Sequence, residues 1–157
     1  VNGGAIRGNK RYAAGTVLTR KDIQSELPFR NISVAIKVTG KQVLDALENG
    51  LSQVENLDGR FLQVSGVKVK YCLDNRVGSR VKTVTVAGKQ LGKDDMYVLA
   101  VNNYLANGGD GYNMLKDANS AERKQRGMLV WSLVRAYIEK HGEISPAIED
   151  RLVNSCQ

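Results

Sequence analysis

Ile32, Val34, Ile36 and Val38 alternate with Ser33, Ala35 and Lys37, the period of a strand that buries one face. The same alternation returns at Val67, Val69, Tyr71 and Leu73, this time against Lys68, Lys70 and Cys72. A turn across Asn75 to Ser79 leads into Val81 to Val86, which reads as the hairpin partner. Met96 to Val101 is a further strand and delivers the chain into "NNYLANGGDGYNML". Between the strands the period changes. Thr19 with Asp22 three residues later is an N-cap signature, and the short helix it opens must stop before Pro28. After Gly40, the residues Val43, Leu44, Leu47, Leu51 and Val54 recur at helical spacing. Ser120 to His141 reads as the longest helix, with a core stripe of Leu129, Leu133, Val134, Tyr137 and Ile138 and Gly142 as its stop. The pattern predicts an α+β fold: a mixed sheet with flanking helices, without linker or repeat.

Composition changes this picture in two ways. At 157 residues and 42% apolar content the chain suffices for one domain with its own core. No run approaches the ~18 apolar residues of a spanning helix. The net charge of +7 suggests an anionic partner, although a basic surface serves solubility equally well. Val1 opens the chain in what reads as a strand end, so a processed piece is expected, any targeting signal lying upstream. Cys72 and Cys156 have no metal-ligand spacing and are compatible with free or paired thiols, which leaves the compartment open.

Catalytic chemistry is sparse. The single histidine, His141, falls at a helix C-terminus, where it reads as a capping residue. Serine-nucleophile, phosphate-loop and dinucleotide motifs are absent, as is any cysteine or histidine pair at zinc spacing. No catalytic or metal-binding residue is therefore assigned. Binding signals are richer. "NGGAIRG" at Asn2 to Gly8 sets Arg7, whose fork of donors matches phosphate oxygens, behind a glycine pair. By itself that is also what a glycine turn with a surface arginine looks like. "LPFRN" at Leu27 to Asn31 places Phe29 on a proline-constrained loop beside an asparagine able to read a base edge. "GRFLQVSG" at Gly59 to Gly66 reads as a short strand bounded by glycines. In "NNYLANGGDGY", three glycines surround Asp110, more than a hairpin turn needs.

In order and spacing, "NGGAIR", "LPFRN", "VTGKQVLDALENG", "GRFLQVSG", "GSRV" and "NNYLANGGDGY" resemble the C-terminal, substrate-binding domain of the 5'-nucleotidase family, which also holds apyrases and UDP-sugar hydrolases. The resemblance runs from Asn2 to about Leu152 and implies a single such domain over 1–157. It implies that Tyr104 and Phe29 stack on opposite faces of a nucleobase and that Asp110 holds the ribose hydroxyls. Gly108, Gly109 and Gly111 would turn the backbone to aim Asp110. Arg7 would reach the ribose-phosphate side with Asn2 beside it, and Asn31 would touch the base edge. Two rings clamping a base should lie about 7 Å apart, twice the ~3.5 Å contact distance. The family's metallophosphatase domain, with two divalent ions such as Zn or Mn, would lie N-terminal to this region. The chain alone is then expected to be inactive, and its parent secreted, at the cell surface or periplasmic. Three positions depart from the family pattern: Ala5 and Arg30 stand where glycine is common, and Tyr104 where Phe is.

Two other readings compete. "GGDGY" is superficially like the GGDEF signature of nucleotide cyclases, but Gly111 stands where that signature needs a second acid. A non-enzymatic basic module binding polyanions or nucleic acid would use the net charge, yet the basic residues lack aromatic-interleaved clusters. The expected partner is a nucleotide or nucleoside, not nucleic acid.

Overall fold

The computed structural model describes residues 1–118 and 127–156. Thr19 opens helix α1 (Arg20–Glu26) with a capping box, its side chain accepting from the Asp22 amide while Asp22 reaches back to the Thr19 amide. The helix ends ahead of Pro28, as the sequence requires. Strand β1 (Ser33–Thr39) buries Val34, Ile36 and Val38. A second capping box, Thr39 with Gln42, turns the chain directly into α2 (Gly40–Leu51). Gly40 is needed there because a Cβ would come within 2.0 Å of the Gly92 carbonyl oxygen. Val54 lies beyond α2, in a separate short 3-10 turn (Val54–Asn56), so the helical stripe ends one residue group early.

Strands β2 (Val67–Tyr71) and β3 (Val81–Val86) form the expected antiparallel hairpin, Val69 opposite Val84 at its centre. The two-residue β4 (Lys89–Gln90) pairs with β3. Strand β5 (Met96–Asn102) pairs antiparallel with β1, setting Val101, Leu99 and Tyr97 opposite Val34, Ile36 and Val38. After it come α3 (Asn103–Ala106), a 3-10 turn over Gly109–Gly111, and α4 (Asn113–Ala118). The stretch that reads as a glycine loop is therefore largely helical. Near the C-terminus, α5 (Val130–His141) leads to β6 (Leu152–Asn154), which joins β2 in parallel. Among the described residues the strands form two sheets, β1–β5 and β4–β3–β2–β6. Their shared core gathers α2 (Val43, Ala46, Leu47), Val69, Val84 and the fully buried Leu105, Tyr112 and Leu115.

Three expectations are corrected. The long helix begins at Val130: residues 119–126 lie outside the described residues, and Leu129 instead bridges Ile32. Gly127 is packed so closely that a Cβ would meet the Ser33 carbonyl oxygen at 1.9 Å. The stripe on α5 is not core, since the helix buries no residue and Leu133, Val134 and Tyr137 are exposed. Finally, "GRFLQVSG" forms no strand but contributes one antiparallel bridge, Leu62 to Asn2.

Buried Arg80 ties these layers together. It donates to the Leu51 carbonyl at the end of α2 and pairs with Glu55, whose carboxyl it holds below the usual range. A disulfide joins Cys72 to Cys156 across 84 residues and fastens the C-terminus to the β2 sheet. No helix among the described residues is long and apolar enough to cross a membrane.

Candidate functional site

The site grows from the end of β5. Asn102 caps α3, its side-chain oxygen accepting from the Leu105 amide at 2.9 Å. Its side-chain nitrogen donates to Asn2 Oδ1 at 3.2 Å, and Asn2 Nδ2 donates to Asp110 Oδ2 at 2.7 Å. The Tyr104 hydroxyl donates to Asp110 Oδ1, also at 2.7 Å. Residues a hundred positions apart thus converge on one carboxylate. Asn2 and Asn102 are buried, so each must be paired, and each is. Asp110 and Tyr104 reach the surface. The bond to Asp110, with some burial and the carboxylate's charge, raises the Tyr104 phenol above its ordinary value, keeping it a donor.

The glycines have separate tasks. Asp110 itself sits in the left-handed region at φ +50°, flanked by Gly108 at +88° and Gly111 at +81°. Asp and Asn tolerate that region better than most residues, and glycine without cost. Gly109 serves close approach: a Cβ there would lie 2.5 Å from the Tyr104 ring. One side of that ring is therefore laid against the loop backbone. From below, Asn49 of α2 holds the Asp110 carbonyl at 3.0 Å, and Tyr112 donates to the Arg60 carbonyl at 2.6 Å. Burial pushes the Tyr112 phenol well up, so it remains protonated.

Phe29 and Asn31 lie on the loop after α1 and share a small hollow with Val1 and Asn102. Phe29 is 44% exposed and Tyr104 45%, unusual values for aromatic rings beside a buried polar network. Arg7 leans on Phe29, its guanidinium carbon 5.5 Å from the ring centre, while Nε donates to the Gly4 carbonyl at 2.7 Å. Arg30 is exposed next to them. The structure thus joins Asn2, Tyr104 and Asp110 by direct bonds, and joins Arg7 to Phe29; Asn31 adjoins the second group. The sequence reading missed Asn102, Asn49 and Tyr112, which support the site from within.

A family model for the 5'-nucleotidase C-terminal domain matches residues 1–117. The chain belongs to that family. The domain is 35% identical to a snake venom 5'-nucleotidase of Crotalus adamanteus, covering 99% of this chain and 28% of the relative. It is 34% identical to a trifunctional nucleotide phosphoesterase protein of Bacillus subtilis, covering 96% of this chain and 10% of the relative. A solved 5'-nucleotidase precursor from Thermus thermophilus superposes with a TM-score of 0.81 at 33% identity, over 99% of this chain and 31% of that one. The 5'-nucleotidase C-terminal domain here spans less than a third of each of these relatives.

None of the side chains among the described residues fits a pair of divalent cations. Among the described residues, Cys72, Asp74 and Cys156 form a group close enough to share an ion, but the two sulfurs are bonded to each other. No metal step is assigned to this chain.

Proposed function

We propose that the domain is the nucleotide-recognition part of a 5'-nucleotidase-type phosphohydrolase. In this reading the base is stacked between Phe29 and Tyr104, and Asp110 accepts from the ribose hydroxyls. Arg7 faces the ribose-phosphate side with Asn2 near it, and Asn31 meets the base edge. An N-terminal metallophosphatase domain of a longer parent chain would supply two divalent ions and the hydrolysis. The observation that carries this is the Tyr104–Asp110–Asn2 unit, with an exposed ring and a pre-oriented carboxylate on one surface.

The arithmetic of the carboxylate supports it. An ionised Asp offers about four acceptor positions. Tyr104 and Asn2 use two, leaving capacity for two hydroxyls of a sugar. Gly109 against the Tyr104 ring supports the stack, because the loop backs the ring closely while much of the residue stays exposed. Each base–aromatic contact is worth roughly 1–3 kcal/mol. Association entropy reduces the sum, so a lone nucleotide should bind weakly, on the order of millimolar. An extracellular or periplasmic setting is supported by the disulfide.

Titration of the chain with AMP, followed by tyrosine fluorescence, tests the reading. Tyr104→Ala and Phe29→Ala should each weaken binding about tenfold or more, and added salt should weaken it little. Binding indifferent to both rings but collapsing with salt would instead favour a basic polyanion-binding module.

A further inference from the structure

The two sheets do not meet. Between the outer edge of β5 and the segment Leu62–Val67 runs an apolar groove of about 630 Å³, walled by Val1, Leu62, Val64, Val67, Leu99 and Val101. Its floor is the core itself, Leu105, Tyr112 and Leu115. Native interiors hold few voids larger than a water molecule. A groove this size over the main core calls for an occupant.

The two walls are in matching phase to flank one more strand. Asn103 N donates to the Ile32 carbonyl at 2.9 Å, which fixes the phase of the β1–β5 ladder. Bonded pairs alternate in an antiparallel ladder, so Val101, Leu99 and Tyr97 bond to β1. Val98 and Ala100 then aim their N–H and C=O groups away from β1, toward the groove. Across from them Val1 is already in a ladder. Its amine donates to the Gln63 carbonyl at 3.0 Å, and Gln63 N donates to the Val1 carbonyl at 2.8 Å. Gly3 N follows with the Phe61 carbonyl at 2.6 Å, either side of the Asn2–Leu62 bridge. Prolonging that register backwards sets the residue before Val1 opposite Val64 and the third before it opposite Gly66. Asn2 meanwhile is bonded to Asn102, the last residue of β5. A chain extended backwards from Val1 would therefore run antiparallel to Leu62–Val67 and parallel to β5.

We propose that the groove is the seat of an extended strand continuous with Val1, the residues immediately upstream in the longer polypeptide. About five residues reach from Ala100 to the level of Met96 at the ~3.3 Å strand rise. The strand merges β1–β5 and β4–β3–β2–β6 into one mixed sheet. The first and third residues before Val1 share the face of Leu62 and Val64, both packed on the core, and are apolar. The inference is independent of the nucleotide reading, since it uses none of that site's ligand contacts.

Three proteins test it: the 157-residue chain, the chain lengthened by the ten residues encoded upstream of Val1, and the chain with a ten-residue Gly/Ser extension. Amide hydrogen exchange is read by NMR at Val98 and Ala100, with Leu99 and Val101 as internal controls. The native extension should slow Val98 and Ala100 at least tenfold and abolish binding of an anilinonaphthalene sulfonate dye, while Leu99 and Val101 change little. The Gly/Ser extension should do neither. Replacing the first upstream residue with Asp should restore fast exchange at Ala100. Exchange at Val98 and Ala100 unaltered by the native extension overturns the proposal. So does protection in the unextended chain that grows with protein concentration, which would make a second copy the occupant.

Discussion

Asp110→Asn separates a ligand role from a structural one with a single atom. In the folded chain the carboxylate accepts from the Tyr104 hydroxyl and from Asn2 Nδ2, both at 2.7 Å. An asparagine keeps one oxygen for Asn2 and turns an amide donor toward the Tyr104 oxygen, so both contacts survive with roles exchanged at the phenol. Asn also accepts the left-handed backbone at φ +50°. What is lost is charge assistance, the difference between about 1.5–3 kcal/mol for a charged partner and about 0.5–1.5 for a neutral one. The cost to the fold should be about 1 kcal/mol, a fall in Tm of roughly 2–4 °C for a domain of this size. Ribose hydroxyls fare worse, since one of the acceptors they need becomes a donor. In the parent enzyme kcat/KM for AMP should fall roughly ten- to a hundredfold, or about 1.5–3 kcal/mol. A double comparison with 2',3'-dideoxy-AMP isolates the contact: the wild type should lose activity on the analogue, and the variant should lose little more. If both proteins are equally sensitive to the missing hydroxyls, Asp110 does not touch the sugar and the reasoning fails.

Gly109→Ala should move the Tyr104 ring, because its Cβ would meet that ring at 2.5 Å; overpacking of this kind costs about 1–3 kcal/mol, and Tyr104 ring resonances in NMR should shift even without ligand. Cys72→Ser with Cys156→Ser should lower unfolding free energy by about 2–4 kcal/mol in urea titrations, through release of an 84-residue closure; an unchanged midpoint would deny the disulfide any role. Burial holds the Val1 ammonium below its ordinary value, so above the folded pKa the unfolded state binds more protons. Stability of this chain should therefore rise with pH from that folded pKa up to the usual ~8 of an α-amine, and fall as pH drops through the folded pKa; N-terminal acetylation should flatten that slope. Purified chain with AMP and added Mn²⁺ or Zn²⁺ should release no phosphate, and activity that persists through repurification would refute this.

Local periodicity carried much of the fold into the sequence. The Thr19–Asp22 cap, the β1 alternation and the β2–β3 hairpin are legible because each is decided by neighbours within a few residues. The α5 boundary is not, because Leu129 leaves helical geometry for a bridge to Ile32, nearly a hundred residues away. Apolar spacing on α5 promised a core face, yet periodicity reports amphipathic character and not which surface will cover it. The site was partly legible for the same physical reason. Glycines at Gly108 and Gly111 advertise positive φ, and both adopt it, with Asp110 left-handed between them. Asn102, Asn49 and Tyr112 act through contacts spanning about a third of the chain or more, and nothing in their local sequence separates them from ordinary polar or core residues.

The central claim is that Phe29 and Tyr104 clamp a base over a sugar held by Asp110. A crystal structure of the chain grown with AMP at several times its dissociation constant tests it most directly. The account predicts the base between the two rings, about 3.5 Å from each, and both ribose hydroxyls within hydrogen-bonding distance of the Asp110 carboxylate. AMP bound with its base away from Tyr104, or with its sugar turned from Asp110, would contradict it.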